Sequence, residues 1–490
     1  MRLVACIIVG MDTKNFYITT TLPYVNAPPH AGFAMEVVKA DVLARFKRQQ
    51  GYEVCFNTGT DEHGLKIYRE ALKENKDPQI YCDEYAAKFD DLRKILNLSY
   101  TNFIRTTNPK HKAAAQEFWK LCLKNDDIYK KNYRSKYCVG CELEKTDSEL
   151  IDAKCPIHPK LDIEIIEEEN YFFRFSNYQQ KLLDLYDNNP HFVIPDFRLN
   201  EIRSFVRSGL QDFSISRLKE KMPWGVPVPD DPDHVMYVWL DALVNYISTI
   251  GWPDNNKQFE KWWPGVQIAG KDNLRQQSAI WQAMLLSAGL PASKQIFIQG
   301  FITSGGQKMS KSLGNVVNPL DLVKQYGTDA VRYYLLREIP SYDDGDFSHA
   351  RFKEVYNADL ANDLGNLVSR VAQLASKYNV KIDRENQTNT LIDEVAEFLD
   401  TFLFDRALEH IWTYVRNLNK YLNNKAPWNQ TPKESMQTLQ EVIKGSEGMR
   451  GILDIAEALK PFLPDTSAEI VRRFTGEKVI NGPPLFARLS

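Results

Sequence analysis

Cys138, Cys141, Cys155 and His158 form two short knuckles, Cys-x2-Cys and Cys-x2-His, separated by thirteen residues. Each knuckle aims two soft donors at one point, and two together make a closed Cys3His tetrahedron. That donor set suits structural Zn²⁺, with no position left for a catalytic water. The bland alternative is four unrelated residues in a polar loop. A second chemical cluster is GGQKMSKSLGN (305–315), where Lys308 and Lys311 stand among Ser310 and Ser312 behind Gly305 and Gly306. Two ammonium groups on a loop that glycines allow to swing suit the charge spreading over a reacting triphosphate, although most charge runs are simply solvated. The third cluster is PPHAGF, holding His30 and Gly32. A histidine at a helix start reaches a phosphate, a glycine lets the ligand approach the backbone, and the helix N-terminus adds partial positive charge. Taken alone, such a histidine is more often a cap. No Walker glycine-lysine motif is present, which disfavours an ordinary phosphate-loop NTPase.

The elements that must hold these groups are legible in outline. The 490 residues suggest about three domains. Hydrophobic residues at 43% and charged residues at 26% are ordinary for a globular protein, and a net charge of −3 confines any nucleic-acid surface to a local patch. No apolar run suits a membrane helix. LVACIIVG near the N-terminus lacks a convincing cleavage site; it reads as a strand, or Met11 is the true start. The odd count of seven cysteines argues against a disulfide framework and for a reducing, cytoplasmic setting. FYITTTLPY (16–24) predicts a strand, the segment from Ala34 a helix with Met35, Val38, Val42 and Phe46 on one face, and YEVCFNTGTDEHG a second strand. This βαβ unit implies a parallel sheet with its site at the C-terminal ends of the strands. Strand signals return at 234–246, 266–272 and 295–302, and beyond about 350 helical patterns take over.

Seven stretches, TTLPYVNAPPHAGF, NTGTDEHG, YVWLDALVNY, KMSKSLGNVV, TDAVRYYLLREIP, DLGNLVSR and NNKAPW, follow one another in an order that resembles the methionyl-tRNA synthetases of class I. Within them PPHAGF resembles the His-Ile-Gly-His signature of the class, and KMSKS (308–312) is its second signature. The resemblance implies an α/β fold: a Rossmann-type parallel-sheet catalytic domain (1–124 and 234–304) split by a zinc-binding insertion (125–233). A lysine-loop and stem-contact region (305–354) and an α-helical anticodon-binding bundle (355–490) would follow. It implies adenylation of methionine by ATP with Mg²⁺ and transfer to tRNA(Met). The implied ATP-site residues are His30, Gly32, Gly270, Lys308, Ser310, Lys311 and Ser312, with His30, Lys308 and Lys311 catalytic. The implied methionine pocket holds Leu22, Tyr24, Asp61, Trp239, Ala242, Tyr246 and Gln277, with Asp61 on the substrate ammonium. Asn366, Arg370 and Trp428 match the anticodon readers, and stacking with edge hydrogen bonds is how unstacked anticodon bases are read.

Two departures stand out. Phe33 replaces the second histidine of the first signature, and Gln276 and Gln277 stand where relatives often carry an aromatic and a histidine. The glutamines predict a more polar pocket with altered rejection of isosteres such as norleucine. The chain stops soon after the helical region, so a monomer is expected. The competing readings are three. One is a sister class I synthetase for cysteine, leucine, isoleucine or valine; the relatives for branched side chains usually carry a long editing insertion, for which the stretch between about 125 and 230 is too short. A tRNA-binding protein without catalysis is opposed by the lysine loop. A small nucleotidyltransferase would leave the helical region without a purpose.

Overall fold

The computed structural model describes residues 14–141, 143–145, 147–309, 315–382 and 391–490. The N-terminal LVACIIVG stretch and Met11 lie outside them. Six strands, β1 (Asn15–Thr20), β2 (Glu53–Thr60), β3 (Asn102–Arg105), β4 (Val193–Ile194), β5 (Val266–Gly270) and β6 (Gln295–Gln299), form one sheet in the order β3-β2-β1-β5-β6-β4. Every pairing in it is parallel. Such a sheet is covered on both faces, and β1 and β2 are correspondingly buried from their second residue onward.

Helix α1 (Ala31–Gln49) makes the crossover from β1 to β2. Fourteen of its nineteen residues are buried, so it packs on more than the single face its apolar spacing suggested. Three of the fourteen, Glu36, Lys39 and Asp41, are charged, and each finds a partner on another element. Burial pulls the Lys39 ammonium down to about 7.

Two expectations need correction. Residues 234–246 are not one strand: Asp231–Met236 is a strand of a small antiparallel sheet, and the chain then turns into helices Val238–Leu243 and Asn245–Ser248. A short continuous apolar run does not distinguish a strand from a buried helix. Here the helical arm is pinned to the sheet by the Tyr17 hydroxyl, which donates to the Tyr246 carbonyl at 2.8 Å. Second, the stretch 125–233 is not all insertion. Its strands Ile128–Cys138, Leu143–Lys145, Glu164–Phe173 and Phe213–Ser214 form a separate antiparallel sheet, but β4 returns to the edge of the parallel sheet beside β6.

From His349 onward the described residues are almost wholly helical, ending with Pro464–Phe474. No helix among the described residues is long and apolar enough to cross a membrane. The helical region is joined to α1 through Arg332, on helix Thr328–Arg337. Its fully buried guanidinium pairs with Asp41 at 2.8 Å and donates to the carbonyls of Leu96, Pro461 and Phe462. Burial alone would raise the Asp41 pKa; the guanidiniums of Arg332 and Arg45 reverse that and hold it below the usual range. Removing one partner of a buried pair strands the other, at a cost of about 3–5 kcal/mol. Arg332→Met is therefore expected to destabilise the chain by about that amount in denaturant unfolding, far more than a surface Arg→Met control such as Arg472→Met.

Candidate active site

The C-terminal ends of β1, β2 and β5 lie side by side, and Leu22, Tyr24, Asp61 and Gly270 of the predicted site stand at them. After β1 the chain runs through Leu22 to Tyr24, which bridges Asp61 just beyond β2. The Asp61 amide donates to the Pro23 carbonyl at 3.0 Å, and Val25 donates back to the Asp61 carbonyl at 3.2 Å. Leu22 and Tyr24 are half-buried and Asp61 is buried. Tyr24 and Trp239 pack against a small cluster of Tyr137, Tyr237 and Ala242. Tyr246 lies deeper, its hydroxyl accepting from Gln277 Nε2 at 2.6 Å. Burial raises the pKa of the Tyr246 phenol, so it remains protonated.

Gln277 therefore lies beside Tyr246, and both members of the glutamine pair are buried. They open a π-helical turn, Gln276–Ile280, a distortion common at functional sites. The amide oxygens of Gln276 and Gln277 and the indole nitrogen of Trp239 are buried without a hydrogen-bond partner among the described residues. Phe33 is also buried, meeting Phe89 edge-on at 5.4 Å, so this position supplies packing.

His30 caps α1: its Nδ1 accepts from the Gly32 amide at 3.0 Å. A Cβ at residue 32 would come within 2.9 Å of the His30 ring, so glycine is what lets the imidazole lie over the helix start. The lysine loop is anchored beside it. Strand Ile302–Ser304 pairs with Gln307–Lys308, and Gly305 and Gly306, at φ 63° and 72°, are the two-residue turn between them. The glycine pair, expected to let the loop swing, thus builds a hairpin, which Asp346 holds by accepting from the Thr303 hydroxyl and the Gly306 amide. Ile302 borders Gly32, and the far end of the loop returns as the Val317 carbonyl accepting from the Ala31 amide at 2.9 Å. Both ends of the loop therefore flank the start of α1. The side chain of Lys308, and Ser310, Lys311 and Ser312 as whole residues, lie outside the described residues.

Glu36 was not singled out from the sequence. It accepts from the amide and hydroxyl of Thr21, at 2.7 and 2.5 Å, and from the backbone of Gly270. It thereby ties the ends of β1 and β5 together beneath the helix start. Burial dominates and pushes its pKa up to about 8, against Thr21 and Gly270, which favour the carboxylate.

The knuckles meet as predicted: the donor atoms of Cys138, Cys141, Cys155 and His158 all lie within 4.8 Å of one another. Cys141 Sγ is 3.5 Å from Cys155 Sγ, too far for a disulfide, and 3.2 Å from His158 Nδ1. A Cβ at Gly140 would fall 2.5 Å from the His158 ring. Three thiols and an imidazole so gathered fit a metal ion.

In the helical region the Arg370 guanidinium sits over the Trp428 ring, 5.3 Å from its centre, while its Nη2 donates to Asn423 Oδ1 at 2.8 Å. Trp428 is 43% exposed, available for stacking. Asn366 is exposed one turn before Arg370. Ala426, at φ 46°, ends helix Phe404–Lys425 and swings Trp428 back toward Arg370.

The comparisons give the class of protein: the family described as tRNA synthetases class I (M) matches residues 16–162 and 144–372. The chain is 42% identical to the methionine–tRNA ligase of Thermotoga maritima, over 97% of this chain and 80% of that one. It is 44% identical to the ligase of Thermosynechococcus vestitus, over 94% and 89%. The Mycobacterium tuberculosis methionyl-tRNA synthetase in complex with methionyl-adenylate superposes with a TM-score of 0.90 at 35% identity, covering 97% of this chain and all of that one. The chain belongs to the methionyl-tRNA synthetase family.

Glu36 carries a pH prediction. Its folded pKa of about 8 lies above the ordinary value near 4.3, so the folded state binds the extra proton. The contribution is fully present below about pH 4 and is lost as pH rises toward 8. Melting curves should show Glu36→Gln gaining stability relative to the parent between pH 5 and pH 8; a constant offset would contradict the assignment.

Proposed function

We propose that this chain is a methionine–tRNA ligase. The methionine carboxylate attacks the α-phosphorus of ATP, the bond to the β-phosphate oxygen breaks, and pyrophosphate leaves; Mg²⁺ would travel with ATP and offset its phosphate charge. The 2′-hydroxyl of the terminal adenosine of tRNA(Met) then attacks the acyl carbon, its proton passes to the departing phosphate, and AMP leaves. The reading is carried by one observation: Tyr24, Asp61 and the histidine-capped start of α1 follow the neighbouring parallel strands β1 and β2, and Trp239 and Ala242, on helix Val238–Leu243, share one cluster with Tyr24.

In this reading Asp61 holds the substrate ammonium, while Leu22 and the aromatic wall take the thioether, which packs well on ring edges. Gln277 keeps the Tyr246 hydroxyl oriented. His30, the Gly32 amide and the helix start receive the phosphate, Gly270 borders the nucleotide, and Lys308 and Lys311, with Ser310 and Ser312, close over the triphosphate. Such chemistry is driven by positioning and charge stabilisation more than by a proton shuttle. Asn366, Arg370 and Trp428 read the anticodon. The knuckles hold structural zinc, which keeps the insertion folded when bound.

Pyrophosphate exchange into ATP, tested with all twenty amino acids one at a time, is expected to require methionine. Exchange with cysteine or leucine instead, or with none, overturns the reading. In the same assay Lys311→Ala should lose exchange severely while tRNA binding stays near normal; Trp428→Ala should do the reverse. Gly140→Ala should lower the metal content of purified protein, read by elemental analysis, because its Cβ displaces the His158 ring. A full complement of zinc in that variant would remove His158 from the ligand set.

A further inference from the structure

Behind the proposed ammonium site lies a polar relay that nothing above uses. Asp241 is fully buried on helix Val238–Leu243, and both of its oxygens are taken by imidazoles. His63 Nδ1 lies 2.5 Å from Oδ2, and His111 Nε2 lies 2.9 Å from Oδ1. The two imidazoles are as buried as the carboxylate, with 2% and 0% of their side chains exposed. With His111 donating from Nε2, its Nδ1 is left to accept from the Ser248 hydroxyl, at 3.0 Å. Burial alone would raise the Asp241 pKa, but the two imidazoles outweigh it and keep the carboxylate ionised.

The relay ends on the loop that carries Asp61. His63 is two residues further along, and its backbone amide points at Asp61 Oδ1 from 3.5 Å. Asp61, Glu62 and His63 are all buried and all polar, and the His63 ring meets Trp224 edge-on at 5.7 Å. Directed bonds also hold the loop. Trp224 accepts from the Gly64 amide and donates to the Glu62 carbonyl, and Arg105 and Thr107 take the Glu62 carboxylate. The His63–Asp241 contact ties the loop to the helix carrying Trp239 and Ala242. That helix has its own apolar anchors in Leu240 and Leu243.

We propose that Asp241 is a positioning residue for amino-acid capture, fixing the Asp61 carboxylate through His63 so that the substrate ammonium meets it in one orientation. The inference rests on the reading of Asp61 as the ammonium partner. Deleting the relay should therefore weaken ligands that carry an ammonium and spare those that lack it.

The test is equilibrium binding of methionine and of 4-(methylthio)butanoate, which keeps the thioether and carboxylate but has no amino group. Asp241→Asn keeps the size of the side chain but offers an amide NH2 where one imidazole N–H must be accepted. It should weaken methionine by about ten- to a hundredfold, the scale of one hydrogen bond to a charged group. The amino-free analogue should change by less than about threefold, and the KM for ATP should hold. His63→Asn, whose amide can donate from near the Nδ1 position, should retain more methionine affinity than His63→Leu. Equal weakening of both ligands, or no change for methionine, overturns the proposal. If Asp241→Asn does not fold, His63→Asn binding methionine no better than His63→Leu also overturns it. Asp61→Asn separates the two levels: without selective loss of methionine there, the ammonium reading itself fails. With that loss but none in Asp241→Asn, only the relay does.

Discussion

Parallel pairing of β1 with β2 on one side and β5 on the other is the constraint on which the rest of this structure depends. The crossover through α1 leaves β1 toward β2, so the crevice at the end of β1 is where strand order reverses, the usual ligand position in an open α/β sheet. Tyr24, Asp61, the histidine-capped start of α1 and the Gly270 turn issue from that edge. The Tyr24–Asp61 bridge welds the first two loops, and Glu36 welds β1 to the Gly270 turn. The hydrogen bond from Ala31 to Val317 ties the base of the lysine loop to the helix start. Placement of charge around the crevice thus comes from backbone register more than from side-chain reach.

A buried polar layer stabilises this edge at some energetic risk. Glu36, Asp41 and Asp241 are all sealed from water, and each is stable only while its partners remain. They divide into different jobs. Asp41 with Arg332 joins the sheet to the helical region, Glu36 joins two strand ends, and Asp241 joins the loop of Asp61–His63 to helix Val238–Leu243. Such networks tolerate little loss, because a half-satisfied buried group costs more than none.

Much of this was legible in the residues. The cysteine knuckles, the lysine loop and the capping histidine declare themselves because their partners are near in sequence or their motifs are short. What stayed hidden depends on long-range pairing. Asp241 meets His63 across 178 positions and Asn423 meets Arg370 across 53, and neither leaves a periodic trace. The two-residue strand β4 is too short to show alternation, and 234–246 is apolar enough to read as strand or helix. Gly305 and Gly306 suggested mobility because sequence shows glycine's freedom but not how it is spent; here it is spent on a tight turn. The departure at Phe33 is answered by packing on Phe89, a contact only the folded chain reveals.

The account turns on methionine, the phosphate and the lysine loop sharing one crevice at the end of β1. A crystal structure with a non-hydrolysable methionyl-adenylate analogue tests this most directly. The account predicts the analogue's ammonium on Asp61, its thioether among Tyr24, Ala242 and Tyr246, and its phosphate group at His30 and the Gly32 amide. An analogue bound away from this edge, or with its phosphate group remote from the start of α1, would contradict it.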